Sequence, residues 1–335
     1  MSTAVRIAWE SRSSSGILFL SAVDSAANHE RAKGAVMMDY SEYLEGYRDA
    51  QAYDVEDGGD DADYPLTLAL AREFGGPLLD LACGTGTMAI RLAEQGFQVT
   101  GVDIIPEMIA WASQKALAQG VSIDWVVADA RTFHLQKQFP FMYMLGNAFQ
   151  HFLTRADQEA LLARVREHVH PQGCFLFGTR NSSPRNLFEA RHPEPQQYTM
   201  PDGRHYVVTE QQEYDPITQV QHYTFLNQWL HPDGQHEEKT LRTALRYVFP
   251  QEMKALLFYN GFEIRSCYGD WQQEPLTATS PAMIYVCQVL SSPATSSAVG
   301  RNGSSSFSSH NPRGARSALP SPIRVWNHQA RAETI

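Results

Sequence analysis

The chain has 335 residues, of which 43% are apolar and 19% charged, and its formal net charge is −10 at pH 7. A chain of this length and apolar content can bury the core of one large α/β domain with an insertion. The acidic balance repels phosphate backbones, which argues against DNA or RNA as a partner.

The first 36 residues are predicted to form a flexible leader outside the fold. Their one short apolar run, residues 16–23, is too short to span a bilayer. A cleaved signal peptide is a weaker alternative for this run. Met37 and Met38 directly precede the patterned part of the chain, so we expect the domain to cover residues 37–290. We expect a cytoplasmic protein without membrane association.

Residues 77–86 read P-L-L-D-L-A-C-G-T-G and predict a strand over 77–82 that leads into a glycine turn. The strand carries an acid, Asp80, and a helix is predicted to follow over 86–95. Gly84 and Gly86 lack the Cβ atoms that would keep backbone amides away from a ligand, and the helix N-terminus faces the turn. This arrangement predicts a cradle for a nucleotide cofactor.

Two more acids follow the next apolar runs. Asp103 comes after a strand predicted over 97–102, and Asp129 follows a strand over 121–127, with a helix at 106–119 between them. Ligands of open α/β sheets lie outside the carboxyl ends of the strands, so these acids should meet at one edge. Residues 84–89 also match the G-x-G-x-x-A pattern of dinucleotide enzymes. Asp80 argues against that alternative, since it would repel a diphosphate.

The remaining elements continue the alternation of strands and helices. A helix over 155–169 begins after Thr154 as N-cap, with Asp157 at the third helical position. The other predicted elements are strands 140–146, 174–179, 261–268 and 282–290 and a helix over 250–260. This order predicts a doubly wound α/β domain.

Residues 204–249 break the alternation. Period-two runs separated by turn residues at 214–216 and 231–234 predict an antiparallel β insertion after the fifth strand. Tyr223, Phe225 and Trp229 fall on one face of its middle run, where they either line a pocket or pack the insertion against the domain. Residues 291–335 are rich in serine and are predicted to be a disordered tail.

The region from about 40 to 288 resembles the class I S-adenosylmethionine-dependent methyltransferases. L-D-L-A-C-G-T-G resembles their first motif, V-T-G-V-D the ribose motif, and V-V-A-D-A-R the adenine-binding stretch. The resemblance implies a seven-stranded Rossmann-like sheet with a closing antiparallel pair, and S-adenosylmethionine as cofactor. It also implies that the insertion caps the substrate.

Carried over to this sequence, the resemblance assigns roles to the three acids. Asp80 would organise the glycine loop, and Asp103 would accept hydrogen bonds from the ribose hydroxyls. Asp129 would accept a hydrogen bond from the adenine amino group, and the backbone amide of Ala130 would donate one to the adenine ring. The other residues expected to contact the cofactor are Ala82, Gly84, Gly86, Ile104 and Leu145.

Two stretches after the fourth and fifth strands, L-G-N-A-F-Q-H-F and G-T-R-N, resemble the glycine and sarcosine N-methyltransferases. The resemblance implies that Asn147 contacts the reacting amine or the cofactor and that Arg180 clamps a substrate carboxylate, a purely structural role being the alternative for Arg180. His151 is a candidate general base, or a polar residue that pins its loop. Tyr47 and Tyr223 are candidate substrate contacts, for which simple packing is the alternative.

The predicted function is transfer of a methyl group to N or O of a small molecule, possible acceptors being an amino acid or small amine. In-line displacement needs alignment and exclusion of water more than acid–base chemistry. No metal site is predicted, and four cysteines without a C-x-x-C pair are expected to stay reduced. The alternatives are an inactive cofactor-binding regulator and an NAD-dependent oxidoreductase.

Overall fold

The computed structural model describes residues 40–57, 61–181, 187, 194–200, 203, 205–230 and 235–290. The predicted leader at 1–36, the tail at 291–335 and the turn at 231–234 lie outside the described residues. Within the described ranges, every helix is too short or too polar to cross a membrane.

From β1 onward, the helices and strands of the described residues follow the predicted order, except for β6, whereas the helices before β1 were not among the predicted elements. The α-helices are α1 (Ser41–Leu44), α2 (Ala50–Asp57), α3 (Tyr64–Phe74), α4 (Thr87–Glu94), α5 (Pro106–Ala118), α6 (Arg155–His168) and α7 (Pro250–Tyr259). Short 3-10 helices cover Glu45–Arg48 and Ala148–His151. The strands are β1 (Leu78–Leu81), β2 (Val99–Asp103), β3 (Asp124–Val127), β4 (Phe139–Met144), β5 (Val169–Arg180), β6 (Gln196–Thr199), β7 (His205–Asp215), β8 (Val220–Leu230), β9 (His236–Arg246), β10 (Phe262–Tyr268) and β11 (Ala282–Val289).

The main sheet has seven strands in the order β3-β2-β1-β4-β5-β11-β10. The first five strands of the chain run parallel, whereas β11 is antiparallel to both β5 and β10. All four residues of β1 are buried, as expected for a central strand covered on both faces. The predicted Rossmann-like fold and its closing antiparallel pair are confirmed.

Local sequence signals account for several boundaries. The predicted N-cap is confirmed, because the amide of Asp157 donates to Thr154 Oγ1 at 3.1 Å. The fifth strand was predicted to begin at residue 174, but β5 begins at Val169, directly after α6, where Val169 pairs with Phe139 of β4. Residues 170–172 (H-P-Q) interrupt the apolar pattern, which is why the start of this strand was predicted too late.

The insertion is a separate antiparallel sheet in the order β6-β7-β8-β9. It begins before the predicted boundary at residue 204, because β6 pairs with β7 from Gln196 to Thr199. Four residues reading Q-Q-Y-T carry too little period-two pattern to identify β6 from sequence. The predicted turn after β7 is present, and there Asp215 Oδ1 accepts from the amide of Ile217 at 2.9 Å.

Candidate active site

A cavity of about 1040 Å³ lies at the carboxyl ends of the parallel strands. The inner face of the insertion sheet forms its roof, and residues of α1 and α2 line its side. The predicted site residues that line this one cavity are Tyr47, Asp80, Ala82, Gly84, Asp103, Ile104, Asp129, Ala130, Leu145, Asn147, His151, Arg180 and Tyr223. Gly86 is the predicted site residue that does not line it.

The two glycines of the loop after β1 serve different purposes. Gly84 has φ +53°, and a Cβ there would meet no atom within 4 Å, so its backbone is open to a ligand. Gly86 has φ +74°, and a Cβ there would lie 2.4 Å from the Trp125 ring and 2.9 Å from Ala112. Gly86 is therefore needed for the left-handed turn and for close packing, not for access of a ligand.

Asp103 holds the glycine loop in place. Its Oδ2 accepts from the amide of Gly84 at 2.8 Å, and its Oδ1 accepts from the amide of Ile105 at 2.9 Å. Burial raises the pKa of this carboxyl, and the backbone hydrogen bonds counteract that rise. Each carboxylate oxygen keeps a second lone pair, so Asp103 can still accept hydroxyl groups from the cavity.

Asp80 lies at the floor of the cavity and is 3% exposed. Burial raises its pKa well above the usual range, the Tyr143 hydroxyl lowers it, and the charge of Asp103 raises it. Two carboxyl groups this close to each other favour a positively charged ligand group, since a cation would offset their mutual repulsion.

Asp129 is held by Arg131, which was not predicted as a site residue. Arg131 donates from its side chain to Asp129 Oδ2 at 2.6 Å and from its backbone to Oδ1 at 2.8 Å. The same guanidinium bonds Asp157 Oδ1 at 2.7 Å, and Asp157 Oδ2 accepts from Tyr40 at 2.6 Å. Both Asp129 oxygens are thus engaged inside the protein, and the backbone of this turn is rigidly placed.

Asn147 and His151 lie after β4 at the opposite wall of the cavity. Asn147 adopts the left-handed conformation with φ +58° and begins the 3-10 helix that ends at His151. Burial and the charge of Arg180 together lower the pKa of His151 to about 4. His151 is therefore uncharged at neutral pH, and its Nε2 lies 3.2 Å from the Tyr47 hydroxyl.

Arg180 is the last residue of β5, and its guanidinium lies near tyrosine hydroxyl groups. Burial lowers its pKa, but the hydroxyls of Tyr223 and Tyr247 more than offset that effect. These two hydroxyls lie 3.2 Å apart. The described groups that act on Arg180 are tyrosines and not carboxylates, so its guanidinium is disposed to receive an anion from the cavity.

A methyltransferase domain model matches residues 78–173, which run from β1 into β5. Residues 78–173 are therefore similar to a methyltransferase domain. It is 35% identical over 106 residues to a glycine/sarcosine N-methyltransferase of Aphanothece halophytica, covering 31% of this chain and 40% of that one. It is 29% identical over 217 residues to the cypemycin N-terminal methyltransferase of a Streptomyces species, covering 64% and 83%.

The fold is also that of solved methyltransferases. The CcbJ methyltransferase from Streptomyces caelestis superposes with a TM-score of 0.60 at 20% sequence identity, covering 76% of this chain and all of that one. The chain spans only 40–45% of the length of three curated relatives that it matches.

The cavity fits S-adenosylmethionine. Gly84 leaves room for a close approach, and Asp103 offers acceptor lone pairs for ribose hydroxyls. Ile104 presents an apolar side chain that is 40% exposed, suitable for covering a flat base. Burial raises the pKa of Asp80 and of Asp103, and a sulfonium bound near them would favour their ionised forms.

Asp54 of α2 is a further residue that shapes the edge of the sheet around the glycine loop. Its Oδ1 accepts from Thr85 in the glycine loop at 2.6 Å. Its Oδ2 accepts from Trp111 Nε1 at 2.7 Å and from Lys115 Nζ at 2.8 Å. The acid-rich sequence around it gave no sign of this role, because the three partners lie 31 to 61 positions further along the chain.

One cluster in the described part of the chain has metal-ligand composition: His134, Glu167 and His168. Both nitrogens of His168 are already used. Nδ1 lies 2.7 Å from the carbonyl oxygen of Arg164, and Nε2 accepts from the amide of Leu135 at 2.8 Å. The cluster therefore lacks the free lone pair that a third ligand would need.

Proposed function

We propose that this chain transfers the methyl group of S-adenosylmethionine to the nitrogen of a small acceptor that carries a carboxylate, such as an amino acid. The observation that carries this proposal is Arg180, whose guanidinium faces the cavity among tyrosine hydroxyls. A planar guanidinium binds a carboxylate through two parallel hydrogen bonds. The names of the two relatives, which act on glycine, sarcosine and a peptide N-terminus, support nitrogen over oxygen.

The bound cofactor supplies a methyl group on a positively charged sulfur, and the chain's residues position the acceptor. Arg180 would hold the carboxylate, and Asn147, on the loop after β4, lines the same cavity. The roof sheet and α2 also line the cavity and would shield a bound acceptor from water. Alignment at short range and exclusion of water account for most of the acceleration in such a displacement.

The acceptor amine must lose its proton before it has a lone pair for attack. Burial in the cavity and the nearby charge of Arg180 both favour the neutral amine. His151, with a pKa of about 4, holds a proton poorly at neutral pH. We therefore assign His151 to positioning through Tyr47, 3.2 Å away, and not to proton abstraction.

The test is release of S-adenosylhomocysteine with glycine, sarcosine and longer amino acids, with mass spectrometry of the N-methyl products. Arg180→Met should lower kcat/KM for carboxylate-bearing acceptors by about 10- to 100-fold, since a charge-assisted hydrogen bond is lost. Arg155→Met is the control, because Arg155 is 76% exposed and pairs with Glu159 on the surface.

Two outcomes would overturn the proposal. Cofactor binding without release of S-adenosylhomocysteine from any acceptor would indicate an inactive cofactor-binding regulator. Equal losses for an amino acid and for the matching amine without a carboxylate would remove the assigned role of Arg180.

A further inference from the structure

The roof of the cavity has a regular arrangement because β7, β8 and β9 pair without a shift. Residues directly opposite each other share one face of an antiparallel sheet. Glu210, Phe225 and Leu241 therefore form one row of the inner face, and Gln212, Tyr223 and Thr243 form the next. Both rows line the cavity. The roof thus continues beyond Tyr223, away from the level of Arg180.

The part of the roof beyond Tyr223 carries negative charge, whereas the part near Arg180 faces a positive charge. Gln212 is the residue of β7 that pairs with Tyr223. Glu210 is two residues from Gln212 along β7, which corresponds to about 7 Å. Glu56 of α2 lies on the same side of the cavity, where its Oε1 accepts from the Tyr206 hydroxyl at 2.8 Å. Burial raises the pKa of Tyr198, and the charges of Glu56 and Glu210 raise it further, so Tyr198 lies near both acids.

Tyr47 is close enough to both charged ends for each of them to act on its hydroxyl. Burial raises its pKa, the charge of Arg180 lowers it, and the charge of Glu56 raises it. A molecule that extends from Arg180 past Tyr47 therefore meets a cation at one end and carboxylates at the other.

Asn227 gives an independent indication of a ligand. It lines the cavity one row beyond Glu210 and is only 6% exposed. Its Oδ1 has no hydrogen-bond partner among the described residues. A buried amide oxygen without a donor is costly, so the position calls for an N–H or O–H group from a bound molecule. Lys239 in the same row does not provide it, because its ammonium pairs with Glu45 at 3.2 Å.

We propose that Glu210 and Asn227, supported by Glu56, form a subsite for a distal ammonium group, so that the preferred acceptor is a diamino acid. This inference rests on the proposed function. The carboxylate would bind Arg180, one neutral amine would face the methyl donor, and the second amine would stay charged at Glu210. As the N–C bond forms, the S–C bond breaks with its electron pair on sulfur, and the nitrogen releases its proton to solvent.

The chemistry of the subsite fits this occupant. Its carboxylates and amide oxygen accept hydrogen bonds and favour positive charge, and the Lys239 ammonium in the Asn227 row is paired with Glu45. The ring of Trp229, stacked on Tyr206 with centroids 5.7 Å apart, adds an aromatic surface next to it. Glycine and sarcosine are too short to reach the Glu210 row from Arg180.

The experiment compares L-ornithine with L-norvaline, which has the same carbon chain without the second amine. We expect kcat/KM to be at least about tenfold higher for ornithine, the size of one charge-assisted hydrogen bond. Glu210→Gln should remove most of this preference, whereas Asn227→Asp should increase it. The matched control is Glu213→Gln, because Glu213 lies on the same strand with its row on the opposite face of the sheet.

A binding measurement separates this inference from the proposed function. Calorimetric titration of each amino acid into the protein without cofactor should show tighter binding of ornithine, and Glu210→Gln should weaken that binding about tenfold. Turnover of norvaline and ornithine at equal rates, with no effect of Glu210→Gln on their ratio, would overturn the subsite and leave the methyltransferase proposal intact. Loss of turnover with every acceptor would instead overturn the proposed function.

Discussion

The imidazole of His151 lies in surroundings that keep it uncharged. Its pKa is about 4 because burial and the charge of Arg180 both disfavour the protonated form. An unfolded histidine has a pKa of about 6.5, so the unfolded chain binds an extra proton between these values. The stabilising contribution is complete above about pH 6.5 and is lost as the pH falls toward 4.

We predict that His151→Gln makes the free energy of unfolding less dependent on pH between about 4 and 6.5. Urea denaturation at a series of pH values measures this slope. His236→Gln, at an exposed position on β9, should leave the slope unchanged. If the plot of kcat/KM against pH has an inflection near neutral pH, His151→Gln should retain it. An inflection that disappears with His151 would show that it is a general base after all.

Gly86 illustrates a glycine required by packing. We predict that Gly86→Ala destabilises the protein by about 2–4 kcal/mol, because the methyl group would overlap Trp125 and the backbone is left-handed. Gly96→Ala is the control, since Gly96 has φ +89° but no atom within 4 Å of its Cβ position. Thermal denaturation should show a clearly larger loss for Gly86→Ala. Equal losses would mean that the turn conformation alone explains both glycines.

Helix α2 is attached to the cofactor edge through one side chain. Asp54 bonds Thr85 in the glycine loop and also Trp111 and Lys115 on α5. The helix can therefore hold the loop in the geometry that binds the cofactor. The side chain touches no reacting group and acts through Thr85.

We predict that Asp54→Asn weakens binding of S-adenosylhomocysteine about tenfold, the effect of losing a charge-assisted hydrogen bond. The KM for S-adenosylmethionine should rise with little change in kcat, because the residue organises the loop and not the reaction. Isothermal titration calorimetry and steady-state kinetics measure the two effects. Glu159→Gln, which removes a surface ion pair with Arg155, serves as control. A fall in kcat at constant KM would contradict this role.

The sheet, the N-terminal helices and the roof sheet share one cavity, so a bound cofactor should stabilise the whole domain. We predict that S-adenosylhomocysteine at 100 times its Kd adds about 2.7 kcal/mol and raises Tm by roughly 5–10 °C. Asp103→Ala should abolish most of this shift, since the variant loses the bonds to Gly84 and Ile105. Asp124→Ala, at an exposed carboxylate, should retain it. A shift with NAD instead would favour a dinucleotide enzyme.

Much of the fold could be predicted because its signals are local. Period-two and helical spacing, the Thr154 cap and the glycine turn each depend on a few neighbouring residues. Strand β6 could not be predicted, since four polar residues form a strand only through their pairing with β7. The start of β5 at Val169 was missed for a similar reason, because its ladder with β4 extends across polar positions.

The amino-acid sequence by itself determined the order of elements from β1 onward, apart from β6, the strand-acid-glycine unit and a set of site residues of which all but Gly86 line the cavity. These follow from local periodicity, from the family resemblance and from the rule that parallel strands place their carboxyl ends at one edge. Only the tertiary structure decided that Arg131 binds Asp129, that Asp54 holds Thr85, and that Glu210 and Asn227 line the same cavity. Such contacts join residues distant in the chain, and they depend on how the helices and the roof sheet pack against the main sheet.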